Sequence, residues 1–214
     1  MTVIAIDGPA ASGKSSAAKK LARRLGFSYV NSGAMYRAIT WELLRQLIDP
    51  ARTESVEAAL HRMSFDCGFT ENGESFIRIN SQIPDIQLRD IEVNQNVSPV
   101  SAIPAVRELI STRLHNLAEG RNVVMEGRDI GTAVFPETPH KFYLDASPEI
   151  RRRRRAAQGQ NDSIEHRDKI DSTRRAAPLA IAADAHVLDT SHLTLEGVVD
   201  NLVEVLRKSG IQPA

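Results

Sequence analysis

Gly8-Pro9-Ala10-Ala11-Ser12-Gly13-Lys14-Ser15 fits the spacing G-x-x-x-x-G-K-[ST] and follows the apolar run Val3-Ile4-Ala5-Ile6 directly. This pattern predicts a phosphate-binding loop between a buried strand and a helix. The glycines let successive backbone N–H groups turn inward on a nucleoside triphosphate, Lys14 reaches its β and γ phosphates, and the Ser15 hydroxyl can ligate Mg²⁺. Ser15 to Leu25 reads as the following helix, whose positive N-terminal dipole faces the same anion.

Composition bounds what surrounds that loop. With 214 residues, 42% of them hydrophobic and 25% charged, the chain can bury a substantial core and reads as one domain with room for a small insertion. Its 27 basic residues balance 27 acidic ones, so no global charge draws it to nucleic acid or to an anionic membrane. Cys67 is the single cysteine and the chain enters an apolar strand at once, without a charged leader; a reducing, cytoplasmic location is the expectation. No uninterrupted apolar stretch approaches the ~20 residues that span a bilayer.

Apolar periodicity alternates between strand and helix, which predicts an α/β fold: a five-stranded parallel sheet with helices on both faces, a three-layer phosphate-loop architecture. Core strands are expected at Val3 to Asp7, Ser28 to Asn31, Asn122 to Glu126, Lys141 to Asp145 and His186 to Asp189. Helices are expected at Ser15 to Leu25, Ala34 to Leu47, Ser55 to Met63, Pro104 to Glu119, Pro148 to Gln158, Ile164 to Arg175 and Thr194 to Lys208. Pro104 suits a first helical turn, and Ser147-Pro148-Glu149 reads as N-cap, N1 and acidic first turn. From Phe65 to Pro99 the rhythm breaks. Cys67-Gly68-Phe69, Phe76 to Asn80 and Gln82-Ile83-Pro84 read as short antiparallel strands around the turn Glu71-Asn72-Gly73-Glu74. The expected organisation is a core over 1–63 with the loop, an inserted β-module over 64–97, and the remaining core over 98–214 with a short arginine-rich lid over about 148–168.

A phosphate loop does not by itself choose among ATPases, GTPases, motors and small-molecule kinases. Three further stretches bear on the choice. Asn31-Ser32-Gly33-Ala34-Met35-Tyr36-Arg37 sits at the end of the second strand, the carboxyl edge where open α/β sheets bind ligands; it reads equally as a second anion site and as a helix cap with a solvated arginine. Glu126-Gly127-Arg128-Asp129-Ile130-Gly131-Thr132 lies just past the central strand, where Arg128 can clamp a phosphate and Asp129 can accept from a base or sugar. Arg167, Asp171 and Arg174 fall on one helical face, able to meet one ligand or to form an ion-pair ladder in water. The run Arg151 to Arg155 turns Arg151, Arg154 and Arg155 to one side; that face reads as a phosphate clamp in the lid, with a solvated basic face as the bland alternative.

Taken together, the chain resembles the bacterial cytidylate kinases, a family of nucleoside monophosphate kinases, over nearly its whole length. The resemblance rests on Ile6-Asp7-Gly8-Pro9 running into Gly13-Lys14-Ser15, on Ser32 to Arg37, on Ile103-Pro104-Ala105-Val106-Arg107-Glu108, on Gly127 to Thr132, on Phe135-Pro136, and on Asp171-Ser172-Thr173-Arg174 followed by Ala177-Pro178-Leu179. It implies transfer of the ATP γ-phosphoryl group to CMP and dCMP in pyrimidine nucleotide metabolism, with ATP and Mg²⁺ as cofactors, Ser15 at the metal, and Lys14, Arg37 and Arg128 as the catalytic cations. Gly8, Pro9, Ala10, Ala11, Ser12, Gly13, Lys14, Ser15 and Ser16 would hold the ATP phosphates. Ser32, Arg37 and Arg128 would surround the acceptor phosphate, with Tyr36 among the substrate-binding positions. Ser98, Arg107 and Asp129 would contact cytosine with Arg174 nearby, and Arg167 and Asp171 the sugar. The implied partners are these small molecules alone, for a monomer that engages neither nucleic acid nor membrane. The segment between Ser147 and Asp168 is shorter than the usual lid of the family, and Glu126 stands where a shorter aspartate is common. Shikimate and adenylate kinases share the loop and a mobile lid but account for neither the β-module with Arg107 nor Gly-Arg-Asp-Ile-Gly-Thr. A nucleic-acid-binding ATPase that uses the arginine run is the reading from another class, and it demands a water-activating residue and salt-dependent binding.

Overall fold

The computed structural model describes residues 1–159 and 164–213. Its strands are β1 (Val3–Asp7), β2 (Ser28–Asn31), β3 (Phe65–Phe69), β4 (Ser75–Ile79), β5 (Val123–Gly127), β6 (His140–Asp145) and β7 (His186–Asp189). Its helices are α1 (Lys14–Leu25), α2 (Ser32–Arg45), α3 (Thr53–Leu60), α4 (Ile91–Ala102), α5 (Pro104–Ala118), α6 (Pro148–Ala157), α7 (Ile164–Thr173) and α8 (Leu195–Lys208). Residues 160–163 of the expected lid lie outside the described residues.

β1 is buried at every position because it runs down the middle of a five-stranded sheet ordered β2-β5-β1-β6-β7, with all neighbours parallel. The two-residue period of the strands sorts their side chains to opposite layers. Ile4, Ile6 and Val124 face α1 and α8 in one apolar cluster with Leu21 and Leu202. Val3, Ala5 and Met125 face the other way, into a cluster with Ile39 and Leu43 of α2 and Ile110 and Leu114 of α5. All carboxyl ends of the strands therefore point the same way, and the loop after β1 opens at that edge.

Helix starts follow the chemistry of their first residues. Asn31 caps α2, its Oδ1 accepting from Ala34 N at 2.9 Å. Ser147 caps α6, its Oγ accepting from Ile150 N at 3.3 Å, and Pro148 and Pro104 occupy first-turn positions whose N–H would have no helical partner. α2 begins at Ser32, ahead of the expected Ala34, because the cap lies one residue earlier.

The irregular segment departs most from expectation. β3 and β4 pair antiparallel from Phe65 opposite Ile79 to Phe69 opposite Ser75, and Gly73 turns between them with φ +72°. The hairpin tip covers the open edge of β2, where Tyr29 N donates to the Gly73 carbonyl at 2.8 Å. The third expected strand does not form. Asn80 and Ser81 take positive φ, Gln82 makes a single bridge back to Ile79, and the chain turns away into one 3₁₀ turn at Ile86–Arg89 and then α4. That helix contains Pro99, whose missing N–H and ring ordinarily argue against a helix interior. Tertiary burial of Val93, Val97, Ser98 and Val100 overrides it, since α4 is wedged between α2 and α5. Ile77 and Ile79 of the hairpin and Val97 of α4 belong to the same cluster as α2 and α5, so hairpin and helix pack onto the core and do not carry a core of their own. No described helix is long and apolar enough to cross a membrane.

Gly8, just past β1, has no room for a side chain: a Cβ there would stand 2.1 Å from the Leu144 carbonyl oxygen. Neither backbone can yield without opening the sheet. Gly8→Ala is expected to destabilise the protein by about 2 kcal/mol and to lower Tm by roughly 4–8 °C, read by thermal denaturation. An unshifted Tm would refute the close approach.

Candidate active site

The phosphate loop closes at Gly13, whose φ of +91° leads into α1 with no side-chain cap, so the first N–H groups of that helix are presented to an anion. Ala11 also takes a positive φ, +58°, giving the loop the alternating turn that makes an anion-binding concavity. Its carbonyls are met by hydrogen-bond donors. Arg128 Nη1 donates to the Gly8 oxygen at 3.1 Å and Lys14 Nζ to the Pro9 oxygen at 2.8 Å. The Ser12 oxygen accepts from Thr190 Oγ1 at 2.8 Å and Arg154 Nη1 at 3.1 Å.

One cleft, open to solvent, joins most of the expected site residues. Ala10, Ala11, Gly13, Lys14, Ser15 and Ser16 form its donor wall; Ser32, Tyr36, Arg37 and Arg128 its middle; Ser98, Asp129, Arg167, Asp171 and Arg174 its far wall. Arg155 also lines it and donates to Asn94 Oδ1 at 3.3 Å across from α6 to α4. Gly8, Pro9 and Ser12 lie behind the wall, in the turn of the loop. Arg151 and Arg154, read from sequence as sharing a phosphate-clamping face with Arg155, direct their guanidinia at loop carbonyls. Arg107 sits behind the far wall, pairing with Asp129, reaching the Ser101 carbonyl at 3.2 Å, and lying 5.8 Å from the Tyr36 ring centroid.

Glycine makes room for this crowding at two points. A Cβ on Gly33 would meet Arg37 Nη1 at 2.9 Å, and one on Gly127 would meet Ser32 Oγ at 2.6 Å. Ser32 is thereby held, its Oγ donating to the Glu126 carbonyl at 2.8 Å.

The electrostatics are those of cations gathered out of water. Burial first, and then the neighbouring guanidinia of Arg167 and Arg128, push Arg37 down to about 9. Burial and the Arg128 charge bring the Lys14 ammonium down to about 7. Burial also opposes the charge on Arg128, but Asp171, Asp168 and Glu126 outweigh it and hold that guanidinium above its ordinary value. Arg128 Nε donates to Asp171 Oδ2 at 2.9 Å; burial would raise that carboxyl, yet Arg128 and Arg174 keep it below the usual range. Asp129 is raised by burial, against the pull of Arg107 and Arg174. The net demand of the site is for a multiply charged anion.

Several contributors carried no role in the sequence reading. Ser15 Oγ donates to Glu126 Oε1 at 2.8 Å, placing that buried carboxylate beside the loop hydroxyl. Asp7 accepts from Ile130 N at 2.9 Å and Gly131 N at 2.7 Å; it ties the Gly127–Gly131 stretch to the strand that starts the loop, and burial lifts its carboxyl to about 6. Asp168 accepts from Ala10 N at 3.0 Å. Asp7 stands directly before Gly8 and Asp168 directly after Arg167, so adjacency to the motifs was the available signal. Thr190 and Asn94 offered none: Thr190 meets the loop at Ser12 across 178 positions and Arg154 across 36, and Asn94 meets Arg155 across 61.

The cytidylate kinase family model matches residues 4–208. The chain belongs to the cytidylate kinase family. It is 42% identical over 217 residues to the cytidylate kinase of Caldanaerobacter subterraneus subsp. tengcongensis, covering 96% of this chain and 95% of that one. It is 39% identical over 216 residues to the cytidylate kinase of Clostridium botulinum strain Okra, at 96% and 97% coverage. A shikimate kinase structure from Bacteroides thetaiotaomicron aligns with TM-score 0.50 and 19% identity over 96% of this chain and 98% of that one, a likeness of fold. As a cytidylate kinase family member the protein is a phosphotransferase that draws on ATP, which is what a loop of inward N–H groups facing a second cationic wall is suited to do.

The depressed Lys14 gives a pH signature. Between about 7 and the unfolded value of 10.5, the folded free protein binds fewer protons than the unfolded chain, so burying Lys14 costs stability below pH 7 and that cost fades as pH rises. A triphosphate restores the favourable charge and raises the pKa. ATP binding at pH 8.5 is therefore expected to take up close to one proton, seen as different binding heats in two buffers of unlike ionisation enthalpy. Lys14→Met should abolish the difference, and equal heats for the native protein would refute the assignment.

Proposed function

We propose that this protein transfers the γ-phosphoryl group of ATP to CMP, with dCMP as a second acceptor, giving ADP and CDP or dCDP. The observation that carries the reading is the cleft that brings Lys14, Arg37, Arg128 and Arg167 together with the buried Asp129, itself paired with Arg107. Charge in phosphoryl transfer is spread over the moving group, so catalysis asks for position and a positive field and for no protein nucleophile. Lys14 and the loop N–H groups hold the donor phosphates. Ser32, Arg37 and Arg128 hold the acceptor phosphate, whose oxygen attacks the γ phosphorus in line as the bond to the β-phosphate oxygen breaks. Asp171 and Arg167 face the sugar.

Ser15 Oγ and Glu126, as a hydroxyl beside a carboxylate, offer the hard oxygen donors that Mg²⁺ takes together with phosphates and water, and these two residues would hold it. When bound, Mg²⁺ neutralises charge on the β and γ phosphates. Residues 64–97 serve as the monophosphate-binding module and 148–168 as the lid. The protein is taken to act as a monomer, and the free thiol of Cys67 suits a reducing cytoplasm.

Base choice follows from donor and acceptor polarity. Cytosine presents an exocyclic amine donor beside the N3 and O2 acceptors; uracil reverses the first two. An ionised Asp129 only accepts, and Arg107 and Arg174 only donate. CMP and dCMP are expected well ahead of UMP, with purine monophosphates poorest, in a kinase screen of the common monophosphates. Asp129→Asn can offer an amide donor to uracil O4 and should narrow the CMP to UMP ratio of kcat/KM by roughly tenfold, ~1.4 kcal/mol. An unchanged ratio removes Asp129 from base reading. Lys14→Ala, folded as the native protein is, should lose about 10² or more in kcat, since one preorganised donor contributes ~3 kcal/mol. Near-normal turnover would sink its role.

A further inference from the structure

Ala10, in the middle of the phosphate loop, has both of its backbone polar groups gripped from outside the cleft. Its N–H donates to Asp168 Oδ1 at 3.0 Å, and its carbonyl accepts from Arg151 Nη1 at 3.3 Å. Asp168 and Arg151 pair with each other through Oδ2 and Nη1, which closes a ring of three residues from the loop, α6 and α7. Arg151 is anchored in turn, its Nε donating to the Ala146 carbonyl at 3.1 Å, and its side chain is only 11% exposed.

A trans peptide points its C=O and its N–H in opposite directions. Holding the Ala10 carbonyl toward Arg151 therefore turns the Ala11 N–H toward the cleft, where Ala11 forms part of the wall. Ala11 has the positive φ that a residue with a Cβ adopts only when its surroundings impose it. The grip on Ala10 is such an imposition. Asp168 also rides on α7 beside Arg167 and three residues before Asp171, both in the acceptor wall. The docking of α7 and the shape of the donor loop thus meet in one ring.

We propose that Asp168 and Arg151 are positioning residues for phosphoryl transfer: through the Ala10 peptide they aim the Ala11 N–H at the donor phosphates. Neither touches the reacting atoms. The assignment rests on the loop's role toward ATP and not on the choice of acceptor base, so it is tested first by ATP binding without any acceptor present.

The experiment measures ATP affinity by competition with a fluorescent ATP analogue, together with kcat and both KM values, for Asp168→Ala, Asp168→Asn, Arg151→Ala and the double alanine variant. Asp168→Ala should weaken ATP binding and lower kcat by on the order of tenfold to a hundredfold, with KM for CMP within about twofold of native. Asp168→Asn keeps an oxygen for the Ala10 N–H and should recover most of the ATP affinity. Because both side chains act through one peptide, the double variant should be little worse than Asp168→Ala alone. Unchanged ATP affinity in Asp168→Ala, a loss confined to KM for CMP or to Tm, or fully additive losses in the double variant would each overturn the proposal. If the alanine variants fail to fold, Asp168→Asn and Arg151→Lys carry the test: the proposal stands if Arg151→Lys weakens ATP binding more than Asp168→Asn does, because lysine cannot bridge the Ala10 carbonyl and Asp168 with one planar fork, and it falls if neither changes ATP affinity.

Discussion

Several largely buried guanidinia and one ammonium share one cleft in this protein, and their mutual repulsion is the constraint around which the site is arranged. Arg128 shows how it is managed. Burial alone would push its charge out, yet Asp171 accepts from its Nε, the Gly8 carbonyl accepts from its Nη1, and Asp168 and Glu126 add their fields. Arg37 and Lys14 have less compensation and are depressed accordingly. The carboxylates thus hold some cations firmly while leaving others with unmet demand, and that demand is what two phosphorylated substrates satisfy.

The same residues solve a second problem, the orientation of backbone dipoles. A phosphate loop works only if several of its N–H groups face inward, and the carbonyls of those peptides then need donors elsewhere. Arg128, Lys14, Arg151, Thr190 and Arg154 supply those donors at Gly8, Pro9, Ala10 and Ser12. Lys14 and Arg128 do so from the cleft, whereas Arg151 and Arg154, which would crowd it if they pointed in, are used from outside. Within the arginine run, helical geometry places Arg155 at the cleft and sends Arg151 and Arg154 to the loop, so residues on one helical face do two kinds of work.

The hairpin and α4 show a similar economy. They extend the core cluster and do not found a separate one, and α4 delivers Ser98 and Ser101 to a wall that also receives Asp129 from just past β5 and Arg174 from just past α7. Arg174 Nη1 reaches Ser101 Oγ at 3.3 Å, while its Nε is buried without a hydrogen-bond partner among the described residues. A wall with a donor in reserve is suited to a polar ligand such as a base edge.

The strands and most helices could be read from the chain because their signals are local: the continuous apolar run of Val3 to Ile6, the cap at Ser147, the proline at 104, and the fixed spacing from Gly8 to Ser15. The same locality made Lys14, Arg128, Asp129 and the Arg167, Asp171, Arg174 face visible as chemistry. The helix at Ile91–Ala102 could not be read, because Pro99 argues against it locally and only burial between α2 and α5 decides for it. Nor could the partners of the arginines. Whether Arg151 meets a phosphate or the Ala10 carbonyl depends on where Asp168 stands, and Arg154 depends on Thr190, 36 residues away. A side chain's type is written in the sequence; the direction in which its charge is used is settled by which distant groups the fold brings within about 3 Å of it.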